Sequence, residues 1–301
     1  MEKCIYALDA GGSYLKCALI DEKLNVIPGT HDSAPADSAG GTPADIRAAY
    51  AALAVRAKAR AAEKGYEIVS VGMDTPGPFD YPTGAFRMTH KYTALYGVSV
   101  LPWFAEDFPG ASVHIIHDSA AFILGASRAL ADGEAKRESI AAVMLGTGLG
   151  FALMCGGQPL LNPNGGPLVS IYRSPLRGEE AEELISARGI VRRYRECSGT
   201  ADSSALSAKE VALRAKSGDA AALRAYSDTG ILLGELLAPI LAEYRVGTLL
   251  LGGQISRDCA LFMPGLCDTL SASGYCGRVL PAPNSDDAHL IGAAMNASGI
   301  D

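Results

Sequence analysis

The first residue in this 301-residue chain whose type and place could do chemistry is an aspartate at the end of an apolar run. His114, Ile115, Ile116 and His117 read as a strand that leads straight into Asp118, and Ser119-Ala120-Ala121 opens a small-residue helical pattern behind it. A carboxylate at a strand-to-helix junction has two ordinary uses. It caps the helix, accepting from the first free amides, or it acts as a base within hydrogen-bond reach of a substrate proton. The positive end of the helix favours the ionised form in either case, so the two uses are compatible.

Three glycine-rich segments bring in phosphate chemistry. Asp9-Ala10-Gly11-Gly12-Ser13 places a carboxylate at a strand end ahead of a tight turn. Glycine lets backbone N–H groups approach a phosphate there without a Cβ in the way, and Asp9 could hold a magnesium ion through its water shell. Gly146-Thr147-Gly148 offers the same donors with a hydroxyl added. LLLGGQIS (249–256) is a buried-type strand ending in Gly252-Gly253. Ligands of α/β sheets sit off the carboxyl ends of strands, and these glycines could let a nucleoside lie flat on the backbone. Each segment alone reads equally well as an ordinary turn. Two similar hairpins, one in each half of the chain, are what a polyphosphate clamp requires.

The elements that must position these residues are legible in outline. Runs 4–8 and 15–20 flank the first glycine turn as strands, and runs 139–145 and 150–155 flank the second. Thr42-Pro43-Ala44-Asp45 has the cap, the first-turn proline and the acid of a helix start, and the helical pattern runs to Gly65. Residues 67–73 read as a strand entering the loop DTPGPFDYPTG, and 119–131 as a helix. From 179 the chain turns helical: EEAEELISARGIVRRYREC, then 207–217, then 219–244 with Asp219 as cap. A strand over 247–252, another over 278–282 and a helix over 286–297 complete the pattern. Strands alternating with helices indicate an α/β fold. The similar halves predict two domains, 1–118 plus 287–301 and 119–286. Arg192, Arg193 and Arg195 are expected on a solvated helix face, and Asp80 and Arg87 as loop charges.

Composition excludes several classes. The net charge is -7 and no Lys/Arg cluster is present, so a nucleic-acid partner is not expected. Nothing upstream of Asp9 would hold a helix-turn-helix. MEKCIYALD has too short an apolar run for a signal peptide, and no stretch of 18 apolar residues suggests a membrane span. Seven dispersed cysteines without a CxxC pair fit reduced thiols in a cytoplasm and argue against structural zinc.

In order and spacing, DAGGSYLK, TPGPFD, the HDSAA element, LGTGLG and LLLGGQIS resemble the ROK family of sugar kinases, within the sugar kinase, Hsp70 and actin superfamily. The resemblance runs from Asp9 to the Gly-Ala-Ala of 292–294. It implies a two-lobed, actin-like (ribonuclease H-like) ATPase fold with duplicated mixed β-sheets and a cleft between them. It also implies transfer of phosphate from ATP, with Mg2+, to a hydroxyl of a hexose or hexose derivative. Asp118 would be the general base. Asp9, Gly11, Gly12, Ser13 and Lys16, with Gly146, Thr147 and Gly148, would hold phosphates and metal. Gly252 and Gly253 would flank adenosine, and Pro76, Gly77, Lys91, His117 and Glu182 would face the sugar. A homodimer is implied as well.

Three departures from the family pattern stand out. His117-Asp118-Ser119-Ala120 keeps the aspartate of an Asn-Asp-x-Asn motif and changes both asparagines. Val169 and Tyr172, in NGGPLVSIY, stand where a sugar-contacting Glu and His are usual. The cysteine-rich zinc motif is missing. A catalytically weak or inactive sugar-binding or regulatory protein on the same fold is therefore the alternative reading.

Overall fold

The computed structural model describes residues 1–89, 91–130, 138–199 and 206–299. They form two compact units: Met1–Leu130 with Gly157–Leu168 and Asn284–Asp301, and Ala131–Gly156 with Val169–Pro283.

In the first unit, β1 (Glu2–Ala10), β2 (Tyr14–Asp21), β3 (Asp32–Pro35), β4 (Tyr66–Thr75) and β5 (Ser112–His117) form one sheet in the order β3-β2-β1-β4-β5. β1 and β2 pair antiparallel around the first glycine turn, while β1–β4 and β4–β5 are parallel. Alternation along β1 splits its side chains between two cores. Cys4, Tyr6, Leu8 and Ala10 pack with α1 (Pro43–Glu63) and α2 (Leu101–Asp107). Ile5 and Ala7 pack instead against Leu290, Ala294 and Ala297 of the C-terminal helix (Ala288–Ser298). The start of α1 follows its sequence signature, with Thr42 and Asp45 closing a capping box.

The first unit extends past residue 118 to Leu130, which moves the expected boundary. The cause is α3 (Asp118–Ser127), which crosses the C-terminal helix at backbone distance. A Cβ at Gly125 would lie 1.9 Å from the Ala288 carbonyl oxygen, and one at Gly292 would lie 1.8 Å from that of Ala121. Residue 131, the expected end of this helix, lies outside the described residues.

The second unit repeats the layout. β6 (Ser139–Leu145) and β7 (Leu149–Cys155) pair antiparallel around the second glycine turn. β6 then pairs parallel with β8 (Val246–Gly252), and β8 with β9 (Arg278–Pro281). The helices are α4 (Ala181–Ile185), α5 (Ala187–Ser198), α6 (Ala208–Lys216), α7 (Ala220–Glu243) and α8 (Met263–Ala272). Asp219 caps α7 through the amides of Ala221 and Ala222, as its sequence predicts.

Two sequence expectations fail here. The run from Glu179 to Cys197 is not one helix, because Ser186 is extended (ψ 179°) and the Ala187 amide donates to the Gly146 carbonyl at 2.9 Å. Arg193 is not on a solvated face. It is buried, with its guanidinium donating to Thr229 Oγ1 at 2.8 Å and the Leu184 carbonyl at 2.9 Å. Arg192 pairs with Glu179 at 2.8 Å, and Arg195 is exposed.

Replacing Gly292 by Ala is expected to destabilise the protein by about 1–3 kcal/mol or more through overpacking. Gly40→Ala, where a Cβ meets nothing within 4 Å, should stay within about 0.5 kcal/mol. Urea unfolding midpoints of the two variants check this.

Candidate functional site

Strand and helix spacing together build the floor of the site in the first unit. Two residues along β4 advance about 6.6 Å, and four along a helix about 6 Å. Ser70, Gly72 and Asp74 therefore keep step with Ala297, Ala293 and His289. The Ser70 hydroxyl donates to the Ala297 carbonyl at 3.3 Å, and a Cβ on Gly72 would sit 2.3 Å from the Ala293 oxygen. Asp74 Oδ1 lies 3.5 Å from His289 Nδ1. Parallel register sets Asp9 beside Asp74.

Asp74 is wholly buried, and neither of its carboxylate oxygens has a hydrogen-bond partner. Burial, then the charge of Asp9, pushes it up to about 7. Burial opposes charging of His289, but Asp74, Asp9 and Asp118 outweigh it and raise the imidazole to about 9. Asp9 is raised by burial and by Asp118, against the pull of His289 and Lys16. Lys16, its cross-strand neighbour, stands 3.9 Å away.

The first glycine turn is pinned by its carbonyls. The Tyr92 hydroxyl donates to the Gly11 oxygen at 2.7 Å, and the Ser38 hydroxyl donates to that of Gly12. Lys91 lies over the turn, and a Cβ on Gly12 would meet its Cδ at 2.9 Å. The structure thus sets Lys91, expected on the sugar, against the phosphate-type turn.

Asp118 is the first residue of α3, and His117 holds the capping position. His117 Nδ1 lies 2.8 Å from Asp118 Oδ1 and 2.8 Å from Ser119 Oγ, and the Ser119 amide donates to Asp118 Oδ1 at 2.6 Å. The Ser119 amide also reaches His117 Nδ1, at 3.1 Å, which is the capping bond. Burial would raise Asp118, but His117, His289 and the Ser119 amide outweigh it and hold the carboxyl at about 2. The side chain remains about one-third exposed (34%) and ionised. The other ring nitrogen of His117 faces Gly77, where a Cβ would stand 3.5 Å from Nε2. Tyr81 closes this corner. Its hydroxyl donates to the Thr75 carbonyl at 3.2 Å and its ring lies 6.0 Å from that of His117. Asp80 and Arg87 form a loop ion pair at 3.5 Å.

In the second unit, Glu182 is committed to the glycine turn. Its carboxylate accepts from the Leu149 amide at 2.9 Å and from Arg188 at 2.7 Å. These bonds make it a brace for Gly146–Gly148, in the same unit as Val169 and Tyr172, which stand where the family resemblance assigns sugar contacts. Gly253 needs its glycine: φ is +83°, and a Cβ would lie 2.4 Å from the Leu145 oxygen. The Ser256 hydroxyl donates to the Gly252 carbonyl at 2.5 Å. Val169 is half-buried, while Tyr172 is exposed beneath the Arg173 guanidinium.

The sequence matches the ROK family over residues 5–166 and 176–299. The chain belongs to the ROK family. Its fold is that of a ROK hexokinase from Thermus thermophilus, with TM-score 0.74 at 23% identity over 98% of this chain and 97% of that one. A ROK glucokinase from Streptomyces griseus, solved with glucose and AMPPNP, matches with TM-score 0.77 at 18% identity over 98% and 99%. A ROK transcriptional regulator, a homologue of the E. coli MLC protein, matches with TM-score 0.82 at 16% identity over 98% of this chain and 78% of that one. A search of the curated proteins finds no match. No described helix of this ROK protein is long and apolar enough to cross a membrane.

The first unit therefore gathers Asp9, Gly11, Gly12, Ser13, Lys16, Lys91, Gly77, His117 and Asp118. The second holds Gly146, Thr147, Gly148, Glu182, Gly252 and Gly253. Sequence reading missed Asp74, His289, Tyr81 and Tyr92. The available signal for Asp74 was a charge at the end of an apolar strand. For His289 it was one polar residue on the apolar stripe of the last helix.

His289 and Asp74 both have folded pKa values above their ordinary 6.5 and 3.8. Each raised value favours the protonated folded state, so each contribution is present at low pH. That of Asp74 is lost as pH rises toward 7, and that of His289 as it rises through 9. With a chelator present, the urea midpoint should fall between pH 6 and pH 9. Asp74→Asn combined with His289→Gln should flatten that fall.

Proposed function

We propose that this chain is an ATP-dependent carbohydrate kinase with Asp118 as general base. The observation that carries the reading is the Asp118 carboxylate, ionised and partly exposed at the head of α3, in the same unit as a pinned glycine turn flanked by Lys16 and Lys91. ATP with Mg2+, when bound, supplies the transferable phosphoryl group and neutralises its oxygens. The residues present fit that pair. The carbonyls of Gly11 and Gly12 are held by Tyr92 and Ser38, and among the described residues no acceptor occupies the amides of Gly11, Gly12 and Ser13. Asp9 would hold the metal through water, and Gly146, Thr147 and Gly148 would offer phosphate donors from the second unit. Gly252 and Gly253 would bound the adenosine.

Phosphoryl transfer has a loose transition state, so the protein's work is positioning and charge stabilisation. Asp118 accepts a hydrogen bond from the sugar hydroxyl and takes its proton late, as the new O–P bond forms. A carboxyl held at about 2 is a weak base, which suits orientation more than early proton removal. His117 fixes the carboxylate and turns Nε2 toward Gly77, where a second sugar hydroxyl would lie.

A sugar-binding or regulatory protein is the second reading, favoured by Val169 and Tyr172 at positions where the family pattern has polar sugar contacts. The experiment is ADP release over a panel of hexoses and hexose derivatives with ATP and Mg2+. Turnover on one sugar supports the kinase. A sugar that shifts Tm without ADP release supports the regulator. With the substrate in hand, Asp118→Asn should lower kcat by about 10²–10⁴-fold with the fold intact, and wild-type turnover in that variant would remove the base assignment. Lys91→Met should raise KM for ATP more than KM for the sugar.

A further inference from the structure

Asp74 and His289 take no part in the chemistry proposed above, yet both carry buried polar atoms without a hydrogen-bond partner: the two Asp74 oxygens and His289 Nδ1. Their mutual contact is an ion pair at 3.5 Å, longer than a well-formed hydrogen bond. It leaves the second Asp74 oxygen facing no donor. Asp9 adds a second carboxylate, so two acids surround one imidazole. One ligand atom from each of Asp9, Asp74 and His289 lies within 4.8 Å of the other two. Donors about 2.1 Å from a common ion stand about 3 to 4.2 Å apart, so small side-chain rotations close the set.

We propose that Asp9, Asp74 and His289 form a direct binding site for a first-row divalent transition cation such as Mn2+. Two carboxylates and one imidazole form a mixed oxygen–nitrogen set that leaves coordination positions open. That set suits Mn2+, Fe2+, Co2+ or Zn2+ better than Mg2+, which keeps its waters and prefers oxygen alone. A divalent charge also balances the two buried acids. The imidazole is steadied by Phe122, whose ring centroid is 5.3 Å away. Asp74 is closed to solvent at the back, while the side chains of Asp9 and His289 are 15% and 28% exposed, so an ion enters past them. Asp118 stays outside the set because His117 and Ser119 already engage its Oδ1. The site shares Asp9 with the water-mediated magnesium role proposed above and differs from it in needing no nucleotide. It stands whether or not a sugar is phosphorylated.

The test titrates the chelator-stripped full chain with MnCl2 in the absence of nucleotide, reading free Mn2+ by electron paramagnetic resonance. One Mn2+ per chain should bind, with Mg2+ displacing it only at far higher concentration. The electron spin echo of the wild-type complex should carry 14N modulation from the imidazole. Asp74→Asn and His289→Gln should each weaken binding more than about tenfold, and His289→Gln should abolish the modulation. Absence of stoichiometric binding, absence of 14N coupling in the wild type, or unchanged affinity in both variants would overturn the site and leave a buried ion pair. The wild-type echo decides the matter even if a variant fails to fold. Failure of the ADP-release assay leaves this result untouched, and the reverse also holds.

Discussion

The close approach of the C-terminal helix to β4 and α3 is the constraint on which the candidate site depends. Three glycines make it possible: Gly72 on the strand, Gly125 on α3 and Gly292 on the terminal helix. At each, a Cβ would overlap a carbonyl oxygen of the opposing element. Without side chains between them, the backbones approach until the spacing of strand and helix comes into register. Asp74 then meets His289, and the head of α3 is held beside the end of β1. Hydrophobic contact of Leu290, Ala294 and Ala297 with Ile5, Ala7, Ala18 and Ile20 supplies the attraction. The glycines decide how close it brings the polar groups.

That geometry gives three aspartates of one unit different characters. Asp118 accepts from the Ser119 amide and lies against His117, and it is held at about 2. Asp74 accepts from no donor, lies in the same field and is pushed up to about 7. Asp9 stands between them, raised by burial and tempered by Lys16 and His289. Desolvation acts on all three, and the direction follows whether neighbouring charge outweighs it: His117, His289 and the Ser119 amide do so at Asp118, while the charge of Asp9 adds to burial at Asp74. A carboxylate held ionised and one that keeps unfilled lone pairs are thus built from the same residue type, on neighbouring strands and at a helix head.

Much of this fold was legible because its signals are local. The two glycine hairpins, the Thr42 cap of α1 and the Asp219 cap of α7 each rest on a few adjacent residues, and each forms as its sequence predicts. The family resemblance extended that reading to the duplicated sheets. What stayed hidden depends on contacts between distant segments. Asp74 and His289 are separated by more than 200 positions, and only the match of two strand steps to one helical turn brings them together. The break at Ser186 has the same origin: nothing in EEAEELISARG announces that the Ala187 amide will serve the Gly146 carbonyl. Arg193 read as solvated because its neighbours are arginines, whereas its partners Thr229 and Leu184 lie on other helices.

The commitment of Glu182 bears on how a sugar would be recognised. The family resemblance offered it as a polar sugar contact. The structure spends both its oxygens in the second unit, one on the Leu149 amide and one on Arg188. A carboxylate so engaged keeps a free lone pair on each oxygen, but the amide and the guanidinium fix it in place, so it would serve a ligand only from that position. On the kinase reading, further polar contacts to substrate come from the first unit. There His117 turns Nε2 toward Gly77 and Asp118 keeps a partly exposed carboxylate, beside the Tyr81 ring, whose hydroxyl is bound to the Thr75 carbonyl.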